Sequence, residues 1–112
     1  MATNKKDAFE TAEVSLADFA KVLAHPARIA ILKTLAQRST CVCGEIVDAL
    51  PLAQATVSQH LKELKGVGLI KGEIDGVKSC YCIDWDVFEG MVSEFNYLFG
   101  SLQRPVGSSD CC

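Results

Sequence analysis

The stretch Leu52–Ile70, LAQATVSQHLKELKGVGLI, decides how this chain folds. Val57, Leu61 and Leu64 recur at helical spacing, which predicts a helix over 54–66 with those three turned to a core. Gln54, Ala55, Ser58, Gln59 and Lys62 are left for its outer face. Ala53 stands just before it and brings no side-chain oxygen to cap its first N–H groups. Gly66 and Gly68 mark its exit, because glycine accepts the left-handed turn that ends a helix. Leu69–Ile74 then reads as a strand, and Asp75-Gly76 is a strong two-residue hairpin signal. On the return strand Val77, Ser79, Tyr81 and Ile83 alternate with Lys78, Cys80 and Cys82, which gives Tyr81 and Ile83 the core face.

Upstream, Phe9, Leu16, Phe19 and Leu23 mark a first helix over roughly 8–24. His25-Pro26 interrupts it, and proline at the first helical position starts a second helix whose inner face is Ile29, Leu32, Leu35 and Ala36. Ser39-Thr40 makes a break with capping oxygens. A short third helix is expected over about 42–50, with Ile46, Val47 and Leu50 inward and Pro51 ending it. Downstream, Asp84 or Asp86 caps a last helix over about 86–102, with Phe88, Met91, Phe95, Leu98 and Leu102 as its apolar seam. The expected fold is mainly α with a small β-hairpin, in the order α-α-α-α-β-β-α. The helices over 42–50 and 54–66 form a helix-turn-helix and the hairpin a wing: a winged helix-turn-helix. It occupies residues 8–102, between a disordered N-terminus of residues 1–7 and a flexible, cysteine-containing tail of residues 103–112. The first and last helices carry apolar stripes that suit pairing with a second copy.

A chain of 112 residues forms one domain, and at 49% apolar and 22% charged residues it is globular. The N-terminus lacks an apolar signal core and no apolar run nears the ~20 residues that span a bilayer, so the expectation is a cytoplasmic protein without a membrane partner. The net charge of −3 argues, taken alone, against nucleic acid. Its distribution argues otherwise: Lys62, Lys65, Lys71 and Lys78 cluster around the 54–66 helix and hairpin, while acidic residues crowd both ends.

The six cysteines fall in close pairs, CVC, CYC and CC, each poorly shaped for an internal bridge. Reduced thiols poised for metal or redox chemistry fit this better than a disulfide framework. Cys80 and Cys82 share one face of their strand and read either as a second thiol clamp or, preferably, as partly exposed wing residues. No Gly-rich loop with arginine accompanies the cysteines, so an anion-handling thiol enzyme is not indicated and no catalytic residue is assigned.

Four segments, LAHPARIAIL (Leu23–Leu32), CVCGEI (Cys41–Ile46), ATVSQHLKELKGVGLI (Ala55–Ile70) and the wing ending in CYCID, together resemble the ArsR/SmtB family of bacterial metal-responsive repressors, in particular its arsenic-sensing branch. The resemblance covers residues 15–102 and implies a homodimer, joined through its first and last helices, that binds operator DNA and releases it when an inducer binds. It makes the 54–66 helix the reading helix. Gln54, Ser58 and Gln59 have the length and polarity to meet base edges, Thr56 and His60 to meet bases or phosphates, and Lys62 and the wing's Lys78 to meet phosphate. A solvated polar face would look the same.

The resemblance also assigns Cys41 and Cys43 to an inducer site for As(III) or Sb(III) at the start of the 42–50 helix, whose positive end favours thiolate. Arsenite takes three sulfurs, and the branch sets its third thiol where this chain has Ile46. Cys111 and Cys112 are one replacement, since about nine residues beyond Leu102 span up to ~30 Å, enough to reach that helix in either protomer; alternatively the two pairs each hold an ion. Alternatives on the same scaffold are an organoarsenical held by two sulfurs, another soft metal, or thiol oxidation and persulfides. With no histidine on the last helix, zinc is disfavoured.

Overall fold

The computed structural model describes residues 8–38, 42–43, 51–73 and 80–107. Thr11–Leu23 forms α1, Pro26–Ala36 α2, Gln54–Gly66 α3 and Trp85–Ser101 α4; Val42–Cys43, Ile70–Glu73 and Cys80–Ile83 form β1, β2 and β3.

Helix α1 begins at Thr11, later than expected, because the Glu10 backbone N–H donates to Glu13 Oε1 at 3.0 Å and fixes the start there. Phe9 is left outside the helix and exposed. Helix α2 starts at Pro26 as expected, with His25 as its cap: His25 Nδ1 accepts from the Ala27 N–H at 3.1 Å. Its inner face differs from the expected one. Ile31 and Leu35 are buried and Leu32 packs beside them, whereas Ile29 and Ala36 are exposed. Apolar residues ring α2 instead of forming one stripe, and it contacts α1, α3 and β3, so periodicity alone did not select a face.

Helix α3 ends in a Schellman turn. The Leu69 N–H donates to the Leu64 carbonyl at 3.1 Å and the Gly68 N–H to the Lys65 carbonyl at 2.9 Å. Gly68 holds φ at +84°, and Leu64 and Leu69 close the turn as fully buried residues. This turn delivers the chain directly into β2.

The sheet is larger than the expected two-stranded hairpin. Its order is β1-β3-β2, and both pairings are antiparallel. Val42 stands opposite Tyr81 and Cys43 opposite Cys80, while Ile70 to Glu73 face Ile83 to Cys80. A helix beginning near residue 42 is therefore overturned: Val42 and Cys43 are strand. Pairing there covers backbone groups that the outer edge of β3 would otherwise present unpaired. Two residues are too few for alternation to announce a strand. The remainder of the expected 42–50 helix, with Ile46, Val47 and Leu50, lies outside the described residues, as do the hairpin turn and residues 108–112.

The core joins Ile31 and Leu35 of α2, Val57, Leu61 and Leu64 of α3, Leu69, Ile70 of β2, and Tyr81 and Ile83 of β3. Each such side chain stabilises by about 1.5–3 kcal/mol when taken from water. Helix α4 is capped by Asp84, whose Oδ1 accepts from the Val87 N–H at 3.3 Å. It packs against α1 and buries Met91, with Phe88 and Phe95 at the core edge. Leu102, expected in the seam, lies one residue past the helix and is exposed.

Candidate DNA-reading face and thiol strands

The outer face of α3 is built as the spacing requires. Val57, Leu61 and Leu64 anchor one side in the core, which turns Ala55, Thr56, Gln59 and Lys62 to solvent with Ser58 half-buried at the margin. The Gln54 side chain and Lys78 lie outside the described residues. Gln59 Nε2 donates to Glu63 Oε1 at 3.1 Å, one turn along the exposed face. The helix starts on Ala53 with no side-chain cap. Lys65, in the last turn, donates from Nζ to the Gly72 carbonyl at 2.6 Å and so ties α3 to β2.

His60 does not belong to that face. It is 7% exposed and sits with the core, which removes it from the expected DNA contacts. Arg28 Nε donates to His60 Nδ1 at 3.0 Å, and Arg28 Nη1 donates to the Val22 carbonyl at 3.2 Å. The His25 ring lies 4.3 Å from the His60 ring, centroid to centroid. Burial, then the charges of His25 and Arg28, hold the His60 pKa below its usual 6.5. A neutral imidazole that accepts at Nδ1 carries its proton on Nε2, and that buried atom has no hydrogen-bond partner among the described residues. The signal was in the sequence. Residues 57, 60, 61 and 64 follow the i, i+3, i+4, i+7 rule, and the polarity of imidazole masked it.

The sulfur-bearing residues divide between two adjacent strands and the undescribed segments. Cys43 is the second residue of β1, and Cys41, Cys111 and Cys112 lie outside the described residues. On β3, Cys80 and Cys82 are half-buried and alternate with the buried Tyr81 and Ile83, so both cysteines share the face turned away from the core. Both are disulfide-bonded. The Cys43 side chain lies outside the described ones, and among those described no three His, Cys, Asp or Glu are grouped as a metal site. What the sequence reading did not show is that the segments holding two of the cysteine pairs meet: Val42 and Cys43 stand opposite Tyr81 and Cys80.

A polar-faced helix held against a sheet whose outer hairpin continues from that helix's exit defines a winged helix-turn-helix DNA-binding fold. Known proteins agree. A family model described as a helix-turn-helix domain matches residues 23–73. The arsenical resistance operon repressor of Bacillus subtilis is 34% identical over 93 residues, covering 82% of this chain and 85% of the relative. The chain belongs to the ArsR/SmtB family of helix-turn-helix transcriptional regulators. The transcriptional repressor SmtB of Mycobacterium tuberculosis is 48% identical over 61 residues, or 54% of this chain, and the match spans 44% of that longer protein. The homodimeric winged helix-turn-helix domain Mb0332 of Mycobacterium bovis, solved in solution, superposes with a TM-score of 0.59 at 25% identity, covering 97% of this chain and 98% of that one. Among the described residues no helix is long and apolar enough to cross a membrane.

Proposed function

We propose that this chain is a transcriptional repressor that binds operator DNA as a homodimer and releases it when trivalent arsenic or antimony binds its thiols. The observation that carries this reading is the place of Cys43: it lies on β1, one strand away from the hairpin strand that leads back to α3. The CVC segment, Cys41 and Cys43, brings sulfur to the inducer through Cys43 on β1, with further sulfurs completing the set. Gln54, Thr56, Ser58 and Gln59 read the groove, and Lys62 and Lys78 meet phosphate. Two relatives named as arsenical resistance operon repressors, at 34% and 28% identity, support the choice of inducer.

The release follows from geometry. In a dimer the two reading helices sit about 34 Å apart, one DNA turn. An ion that draws β1 sulfur toward β3 shifts the sheet on which α3 and the wing are mounted. A coupling of about 2.7 kcal/mol lowers operator affinity 100-fold. The test is fluorescence anisotropy on a labelled promoter fragment. The reduced protein binds with an affinity that falls steeply with salt, arsenite releases it, and Cys43→Ser keeps binding but ignores arsenite. Release of Cys43→Ser at wild-type arsenite would overturn the assignment of the inducer; salt-independent binding would overturn DNA reading.

A second reading, thiol oxidation as the signal, is favoured by one observation, the disulfide bonding of Cys80 and Cys82. In that case hydrogen peroxide releases the fragment and arsenite does not.

A further inference from the structure

We infer that the wing strand completes the inducer site: Cys80 and Cys82 of β3 join Cys43 of β1 as sulfur donors to one thiophilic ion. This rests on the thiol-sensing function proposed above and names the donors it leaves open.

The register is the first support. Cys43 stands directly opposite Cys80. Opposed positions of an antiparallel pair belong to the same face of the sheet. Cys82, two residues on, shares the face of Cys80 because Tyr81 and Ile83 between and beyond them are buried. Three sulfur-bearing positions therefore fall on one side of two paired strands.

The second support is covalent. Cys80 and Cys82 are both disulfide-bonded. Neighbours two apart on one strand are ~6.6 Å apart along it, beyond the roughly 3.5–4.5 Å between Cβ atoms that a disulfide spans. Their sulfur partners thus lie off β3, and β1, the cysteine-bearing strand paired with it, carries Cys43. Sulfurs near enough to bond are, once reduced, within the span of one ion.

The third support is chemical. A trivalent metalloid takes three thiolates and leaves hard cations to oxygen sites. Binding of arsenous acid is a condensation: three S–H bonds and three As–O bonds break, three As–S bonds form, and three waters leave with no change of oxidation state. A site with donors on β1 and β3 also needs no sulfur at Ile46, where the arsenic-sensing pattern has one.

The experiment compares three full-length proteins, each reduced with a phosphine: wild type, Cys80→Ser/Cys82→Ser, and Cys111→Ser/Cys112→Ser. Arsenic X-ray absorption counts the sulfur neighbours after one equivalent of arsenite, and far-UV circular dichroism confirms that each variant is folded. The inference expects three sulfurs in wild type and in the tail variant, and two or fewer in the wing variant, with arsenite affinity at least tenfold weaker. Three sulfurs in the wing variant, or a loss confined to the tail variant, would overturn it. Should wild type bind no arsenite, the choice of inducer fails separately, and Cd(II) replaces it as probe. A cadmium–sulfur count that falls in the wing variant then supports the shared site, and an equal count in both proteins overturns it. Disulfide mapping gives a readout without metal. Peptides linking Cys80 or Cys82 to the CVC segment are expected after mild peroxide, and links confined to Cys111 and Cys112 count against the site.

Discussion

His60 shows how one side chain can belong to the fold while looking like part of the reading surface. Its imidazole is buried, accepts from Arg28 and has an orphaned Nε2. Its folded pKa is lowered, so the unfolded chain takes up a proton near pH 6.5 while the folded chain still resists it. Stability is therefore complete above that pH and declines as pH falls below it, until the lower folded pKa is reached. His60→Gln keeps an acceptor for Arg28 but does not titrate. The fall in Tm between about pH 7.5 and about pH 5.5 is expected to be smaller in this variant than in wild type, measured by thermal denaturation. Gly72 gives a second prediction. Its φ is +125°, and a Cβ there would collide with the Cys80 carbonyl oxygen and lie 2.9 Å from Tyr81 Cα. Both obstacles are backbone and cannot step aside. Gly72→Ala should cost at least about 2 kcal/mol in urea unfolding.

Among the elements, α3 was the most legible. Three aliphatic residues at helical spacing, a glycine exit and a missing cap gave its bounds, and the structure starts it on Ala53 without a side-chain cap. Ala53 has extended backbone, φ −66° and ψ 150°, the conformation a capping serine adopts. Ala53→Ser should therefore raise stability by about 0.5–1 kcal/mol, read from the urea midpoint. The start of α4 was equally legible, because an aspartate ahead of an apolar seam has few other uses, and Asp84 is indeed the cap. β1 was not legible. It is strand only because β3 offers it an edge, and a two-residue pairing across some forty positions leaves no local periodicity. The same non-local fact hid the sulfur arrangement. CVC was assigned to a helix, where residues two apart diverge by ~200°. The face of α2 was missed for a related reason, since a helix covered by three neighbours needs no single stripe.

For the molecule as a whole, large apolar side chains stand exposed on and beside the first and last helices. Phe9 precedes α1, Tyr97 and Phe99 stand on the last turns of α4, and Leu102 follows it, with Tyr97 82% exposed and Phe99 62%. Helices α1 and α4 pack on each other. In the proposed homodimer, joined through the first and last helices, Tyr97 and Phe99 belong to the joining face. Tyr97→Asp combined with Phe99→Asp should leave the fold intact, shift sedimentation from dimer to monomer, and weaken binding to a palindromic operator at least 100-fold, because one reading helix then acts alone. The charge pattern matters at this scale too. Lys62, Lys65, Lys71 and Lys78 concentrate positive charge on the reading module of a chain whose net charge is −3, so weak adsorption to arbitrary duplexes is restrained.

The position of β3 has a consequence for anyone who would re-engineer this protein. It is the middle strand, hydrogen-bonded to β1 on one edge and β2 on the other, and its Tyr81 and Ile83 are part of the core. In the proposed sensor, detection, anchorage and output share four residues of backbone. A chemist who grafts the cysteine pairs onto another winged scaffold must carry this whole strand across, aromatic ballast included, or the transplanted sensor will bind its ion and transmit nothing.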